Sequence, residues 1–104
     1  MHQSFEFTFE WDPLKAASNY KKHGIAFERA ATVFNDPKAL TIFDEEYNRD
    51  EDRWVTLGLD VSMFLVVVYH TYREKGGHAA HIRIISARKA TKKEIKQYQG
   101  GWLI

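Results

Sequence analysis

His81-Ile82-Arg83-Ile84-Ile85-Ser86-Ala87-Arg88-Lys89-Ala90-Thr91-Lys92-Lys93-Glu94-Ile95-Lys96-Gln97-Tyr98 is the stretch around which this chain is organised. It opens as a strand: Ile82, Ile84 and Ile85 are β-branched and sit among alternating polar and apolar residues. It turns into a helix at Thr91, where Thr91 and Glu94 are spaced as a capping box. Arg83, Arg88, Lys89, Lys92, Lys93 and Lys96 face a single acid, Glu94. A packed strand therefore leads into a cationic strand–helix junction. Strict alternation places Arg83 with Ile85 and Ala87, but Arg88 with Ile82, Ile84 and Ser86. A bulge near Ile84-Ile85 would bring the two arginines to one face.

Working outward, Phe64 to Tyr72 is the strongest strand, and its continuous apolar run implies a central position covered on both faces. Arg73 to Ala80, with Gly76-Gly77, is expected to be the hairpin loop joining it to the cationic strand. Upstream, Arg53 to Leu59 alternates as a strand, Leu40 to Phe43 is another, and Asp60 to Met63 is a turn. The acidic run Asp44 to Asp52 lacks the glycine and spacing of a calcium loop and is expected to be a solvated hairpin loop. Phe5, Phe7 and Phe9 alternate with polar residues as a first strand. Asp12-Pro13 starts a helix that stops at Gly24, with Leu14, Ala17 and Tyr20 facing inward. Phe27, Ala30, Ala31 and Phe34 form the apolar stripe of a second helix ending at Asp36-Pro37. The expected fold is α+β: an antiparallel sheet meander packed by an N-terminal helix hairpin and a C-terminal helix, in the order β-α-α-β-β-β-β-α.

The 104 residues form one domain, 1–104, with the 44% apolar and 28% charged content of a folded chain. No cysteine is present, which excludes disulfides and thiolate metal sites and fits a reducing, cytoplasmic location. The start lacks a signal-peptide pattern, and no apolar run is long enough to span a membrane. The net charge of +1 hides an asymmetry. Residues 35–60 carry three basic and eight acidic side chains, and residues 61–104 carry eight basic and two acidic. A basic C-terminal half points to a polyanion, nucleic acid above all.

The histidines His2, His23, His70, His78 and His81 do not form a convincing metal set, and no phosphate-binding glycine loop or activated serine is present. No metal or cofactor is expected. What remains is Arg73, Arg83 and Arg88 on or beside neighbouring strands, each a planar fork of donors suited to phosphate. RNA carries its own nucleophile, the 2′-hydroxyl, so the protein need only orient the attack and move protons. His23, His70, Tyr69, Lys22 and Lys89 are the available proton carriers. Three of the candidates also have a plain structural use: His23 as a cation at a helix C-terminus, His70 as a satisfied sheet residue, and Arg83 in a cross-strand pair. The same basic face would equally serve a non-catalytic nucleic-acid- or protein-binding module.

Phe9-Glu10-Trp11-Asp12-Pro13, Asn19-x-x-Lys22-His23-Gly24-Ile25-x-Phe27-x-x-Ala30 and Val33-Phe34-x-Asp36-Pro37 resemble the N-terminal half of BrnT-type toxins. Arg53-Trp54-x-x-Leu57-Gly58, Val67-Val68-Tyr69-x-Thr71 and Ile82-Arg83-Ile84-Ile85-Ser86-Ala87-Arg88-Lys89-Ala90, then Glu94 and Tyr98, are similar to its later signatures. The resemblance spans about residues 9 to 98. It implies a RelE-like fold and a metal-independent ribonuclease toxin of a type II toxin–antitoxin system that arrests translation. It also implies a BrnA-type ribbon-helix-helix antitoxin as partner, which would bring the pair to operator DNA. The family's functional positions fall on His23, Arg83 and Arg88, and with poorer alignment on Arg73 and Lys22. The resemblance assigns no individual roles; from the chemistry of the residues, Arg83 and Arg88 are expected to hold the phosphate with Arg73 assisting, His23 or Lys22 to carry the proton, and His70 to stand in reserve. The loop Glu74 to Ala80 looks longer than is usual, and the Gly100 to Ile104 tail lies outside the pattern.

Overall fold

The computed structural model describes residues 5–48 and 52–100. In chain order these form β1 (Glu6–Glu10), α1 (Pro13–His23), α2 (Phe27–Ala31) continued by a 3₁₀ turn over Thr32–Asn35, β2 (Leu40–Asn48), β3 (Asp52–Leu59), β4 (Leu65–His70), β5 (Arg73–Lys75), β6 (Ala79–Lys89) and α3 (Lys92–Gly100). The strand order is β1-β6-β4-β3-β2, with β5 also paired to β6. The expected antiparallel meander is β2-β3-β4-β6. The first strand closes the far side of the sheet, running parallel to β6 with Glu6 opposite Ala79 and Glu10 opposite Arg83.

Val66, Val67 and Val68 of β4 are all buried, so the central strand is covered on both faces as its unbroken apolar run predicted. On one face Val66, Val68, Ile82, Ile84 and Ala87 pack against Ile25, Phe27, Ala30 and Val33 of the helix hairpin. On the other face Val67 and its cross-strand neighbour Leu57 are buried on the side where α3 packs against β3. The Tyr98 hydroxyl of α3 donates to Asp36 Oδ2 at 2.7 Å, tying this helix to the end of the hairpin. At Gly58 a Cβ would lie 2.9 Å from Val33 Cγ1 and 3.0 Å from Ala39 Cβ, so only glycine allows the 3₁₀ turn to approach β3 this closely.

The helix signals acted as expected at both ends of α1. Asp12 Oδ1 accepts from Leu14 N at 2.8 Å, and Gly24 takes the left-handed conformation (φ 72°) while its N–H bonds Tyr20 O. Its inward face is different from the expected one. Leu14 is 81% and Tyr20 59% exposed, and Ala17 is exposed too. Ala16 and Asn19 face the sheet instead. The cause is a polar anchor: Asn19 Nδ2 donates to Ala87 O (3.0 Å) and Ile25 O (3.2 Å), and its Oδ1 accepts from Ala87 N (3.1 Å). Three buried backbone groups need that amide, and this sets the rotation of the helix more firmly than Leu14 or Tyr20 could.

Three other expectations change. Most of the acidic run is strand, because β2 continues through Asn48 and β3 begins at Asp52; residues 49–51 lie outside the described set. The hairpin after β4 holds an extra strand, β5, so the turn tightens to residues 76–78 with Gly76 and Gly77 at positive φ. The second helix is α-helical only to Ala31. The Thr91–Glu94 capping box is present in both directions, with Glu94 N to Thr91 Oγ1 at 3.2 Å and Thr91 N to Glu94 Oε1 at 2.8 Å. Of the Gly100 to Ile104 tail, residues 101–104 lie outside the described set.

Asn19→Ala strands the Ala87 N–H and the Ala87 and Ile25 carbonyls, and is expected to cost about 2–4 kcal/mol in urea unfolding. Asn19→Asp keeps the acceptor and loses both donor bonds, so it should be destabilised as well, despite being nearly isosteric.

Candidate active site

The arginines are sorted by one irregularity in β6. Its pairing with β4 runs Tyr69 opposite Ser86 and then His70 opposite Ile84, which leaves Ile85 as an extra residue. This is a β-bulge at the position the sequence suggested. Before it Ile82 and Ile84 point into the core, and after it Ala87 does. Arg83 and Arg88 consequently share the opposite face, although they are five residues apart. Thr71 holds the backbone beside the bulge: its N–H bonds Arg83 O at 3.0 Å, and its hydroxyl accepts from Arg83 N at 3.3 Å.

At one end of this face, Arg73 on β5 pairs across from His81, and both Arg73 and Arg83 are exposed. With Glu10, Asp52, Thr71, Tyr72 and His81 they line a pocket of about 300 Å³. His81 is gripped on both ring nitrogens. Thr8 Oγ1 lies 2.8 Å from Nδ1, and Nε2 contacts the Glu10 carboxylate, which can only accept, so Nε2 carries a proton. That hydrogen bond, with the charges of His81, Arg83 and Arg73, holds the Glu10 carboxyl below its ordinary 4.5. Arg83 also borders a second pocket beside Asp12 and Lys15 at the start of α1.

At the other end, Arg88 is engaged by protein. Its Nη1 and Nη2 each donate to a Glu94 oxygen at 2.9 Å, and Nη2 also reaches the Tyr69 hydroxyl at 3.2 Å. The fork-to-fork geometry pulls the Glu94 carboxyl down to about 2 and raises the Arg88 guanidinium further above its ordinary range. Arg53, 3.2 Å from Asp44, stacks on the Tyr69 ring from 5.2 Å, and Arg88 lies 5.8 Å from the same ring. Arg83 and Arg88 therefore do not converge on one phosphate: their backbones are roughly 15 Å apart along the strand, and Arg88 is bound to α3.

The expected proton carriers are elsewhere. His70 is 1% exposed and stacks edge-on to Phe34 at 4.8 Å. Its Nδ1–H donates to Thr71 O at 2.9 Å, and Nε2 accepts from the Thr56 hydroxyl at 2.7 Å, itself 2.8 Å from Thr41 Oγ1. Burial pushes its pKa down to about 4, so it is a neutral core residue and not a reserve catalyst. Lys22 and His23 occupy the last turn of α1, the helix whose Asn19 bonds the edge of β6 at Ala87. They lie about 10–12 Å of helix rise beyond Lys15, which borders Arg83. Neither lines the pockets that Arg83 borders. Among the described residues no three metal-ligating side chains converge.

Glu10 and His81 were missed by sequence reasoning, as was Arg53. The alternation of β1 did put Glu10 on its polar face, and His81 stands two residues before Arg83. Their meeting depends on the parallel β1–β6 pairing across 71 positions, for which the sequence carries no local signal.

A six-stranded sheet with an apolar helix hairpin on one face and an arginine row on the other defines a class of small α+β protein with a cationic sheet face. The family follows from comparison. Residues 11–94 match the family model described as the ribonuclease toxin, BrnT, of type II toxin–antitoxin systems, and the chain belongs to that family. Membership implies an RNA substrate and an antitoxin partner. The crystal structure of the Brucella abortus ribonuclease toxin BrnT superposes with a TM-score of 0.56 at 20% identity, over 84% of this chain and 99% of that one, a likeness of fold. No curated protein matches the sequence.

Because the folded pKa of His70 is below the ordinary 6.5, the unfolded chain binds the extra proton between pH 6.5 and about 4. That share of stability is present above pH 6.5 and is lost as pH falls. His70 is expected to account for about 2 kcal/mol of the difference in urea-unfolding free energy between pH 7 and 5, and His70→Gln should remove that share.

Proposed function

We propose that this chain, acting as a single domain, is a metal-independent endoribonuclease that inhibits translation in the cytoplasm. A BrnA-type antitoxin neutralises it, and the antitoxin's ribbon-helix-helix part carries the pair to operator DNA. Family membership supports the ribonuclease and toxin–antitoxin parts of this reading. The observation that carries the chemistry is the pair of exposed arginines, Arg73 and Arg83, facing one pocket from adjacent strands.

An RNA strand lies along the arginine face. Arg83 and Arg73 hold the scissile phosphate with their planar donor forks and stabilise the charge that builds on its oxygens during attack. The adjacent 2′-hydroxyl is the nucleophile, and the products are a 2′,3′-cyclic phosphate and a 5′-hydroxyl. Arg88, some 15 Å along the strand, keeps α3 in place through Glu94. It meets RNA only as a flanking phosphate contact. Lys92, Lys93 and Lys96, all exposed on α3, add diffuse attraction.

Incubating the purified protein with single-stranded RNA in EDTA is expected to give cleavage, while an oligonucleotide with a 2′-deoxy sugar at the cleaved position stays intact. Arg83→Ala and Arg73→Ala should each lower kcat/KM by about 10²-fold. Cleavage abolished by the chelator, or retained in full by the double variant, would overturn the reading. Arg88→Ala exposes a different dependence: it leaves the Glu94 carboxylate with only the Thr91 cap as partner and should lower stability by about 1–3 kcal/mol.

A further inference from the structure

The geometry points to Glu10 as the general base of this site, with His81 as the residue that positions it; we infer this from the hydrogen-bonded Thr8–His81–Glu10 row beside Arg73 and Arg83. The inference rests on the RNA-cleavage reading above and supplies the proton acceptor that reading lacks.

Three features single out Glu10. It stands opposite Arg83 in the β1–β6 register, so its carboxylate is on the phosphate-holding face. Its side chain is 55% exposed and can therefore reach a bound sugar. Its Oε1 is held by His81 Nε2, which leaves Oε2 to meet substrate. His81 is itself fixed, because Thr8 engages its other nitrogen. A row of hydroxyl, imidazole and carboxylate along three positions of paired strands has no packing duty: the core lies on the other face, under Phe7, Phe9 and Ile82. His70 shows the contrast, since its ring is wholly consumed by buried partners.

In the proposed step, the proton of the 2′-hydroxyl moves to the Glu10 carboxylate as the 2′-oxygen bonds to phosphorus. The bond from phosphorus to the 5′-oxygen breaks, and that oxygen takes a proton from water. Glu10 then returns its proton to solvent, so no water is consumed overall and the cyclic phosphate is released. His81 touches the carboxylate and not the substrate.

The titratable and charged groups facing Glu10 are Asp52 of β3, Tyr72, Arg73 of β5, and His81 and Arg83 of β6. Among them His81 contributes most to holding the carboxyl below its ordinary value. The rate should therefore rise with pH through the ionisation of Glu10 and then level off. His81→Ala should shift this acid limb upward toward the ordinary 4.5, a change that a purely structural role would not produce.

The test is single-turnover cleavage of a short RNA alongside equilibrium binding of its all-2′-deoxy analogue, with far-UV circular dichroism as the check on folding. Glu10→Gln is expected to lower the cleavage rate by about 10²–10³-fold while binding the analogue at least as tightly as wild type, since a negative charge beside the phosphate is gone. His81→Gln, which keeps a donor to the carboxylate, should retain more activity than His81→Ala. Wild-type cleavage with an unimpaired Glu10→Gln variant would overturn the assignment of Glu10 alone. Failure of the wild-type protein to cleave RNA would overturn the ribonuclease reading and this inference with it. If Glu10→Gln does not fold, Glu10→Ala, which also removes the carboxylate, is expected to cleave about 10²–10³-fold more slowly; a wild-type rate there would again reject the assignment.

Discussion

The buried backbone groups of β6 need hydrogen-bond partners along both edges of the strand, and much of the fold is arranged to supply them. On one edge β1 serves the first half, up to Arg83, and the amide of Asn19 serves Ala87 beyond the reach of β1. On the other edge β5 pairs the first three residues, Thr71 bridges Arg83, and β4 pairs the remainder. Helix α1 is therefore a partner of the sheet in a literal sense, since its asparagine acts as one rung of a missing strand.

The bulge at Ile85 follows from the same strand having to serve two partners in different registers. β5 and the end of β4 share one register with β6, and the rest of β4 is offset by a single residue. That offset keeps Ile82, Ile84 and Ala87 together in the core. It also turns Arg83 and Arg88 toward the same face. Core packing and the cationic surface are two results of one extra residue, so neither can be altered without the other.

Burial and pairing then decide which charged groups are open to a ligand. Arg88 and Glu94 satisfy each other and fasten α3 to the sheet, whereas Arg73 and Arg83 are exposed and act on the Glu10 carboxylate through their charges alone. His70 and His81 sit on adjacent strands and differ in the same way. One is a neutral ring enclosed by Thr56, Thr71 and Phe34; the other lies at the rim of a pocket between a hydroxyl and a carboxylate. Residue type alone ranks them equally as proton carriers.

Local patterns in the sequence determined a good deal. Apolar periodicity located β1, α2 and β3, Asp12-Pro13 and Gly24 set the ends of α1, Thr91 and Glu94 started α3, and the unbroken valines of β4 announced a strand covered on both sides. The clash between alternation and charge around Ile84-Ile85 even marked where a bulge would be needed. These signals are short-range, because caps and periods act within a turn or two. Only the tertiary structure decided that β1 lies parallel to β6, that Asn19 and not Leu14 or Tyr20 faces inward, and that Glu10 meets His81 across 71 residues. Each of those depends on which distant backbone edge is left unpaired once the strands are in register, and that is a property of the assembled sheet.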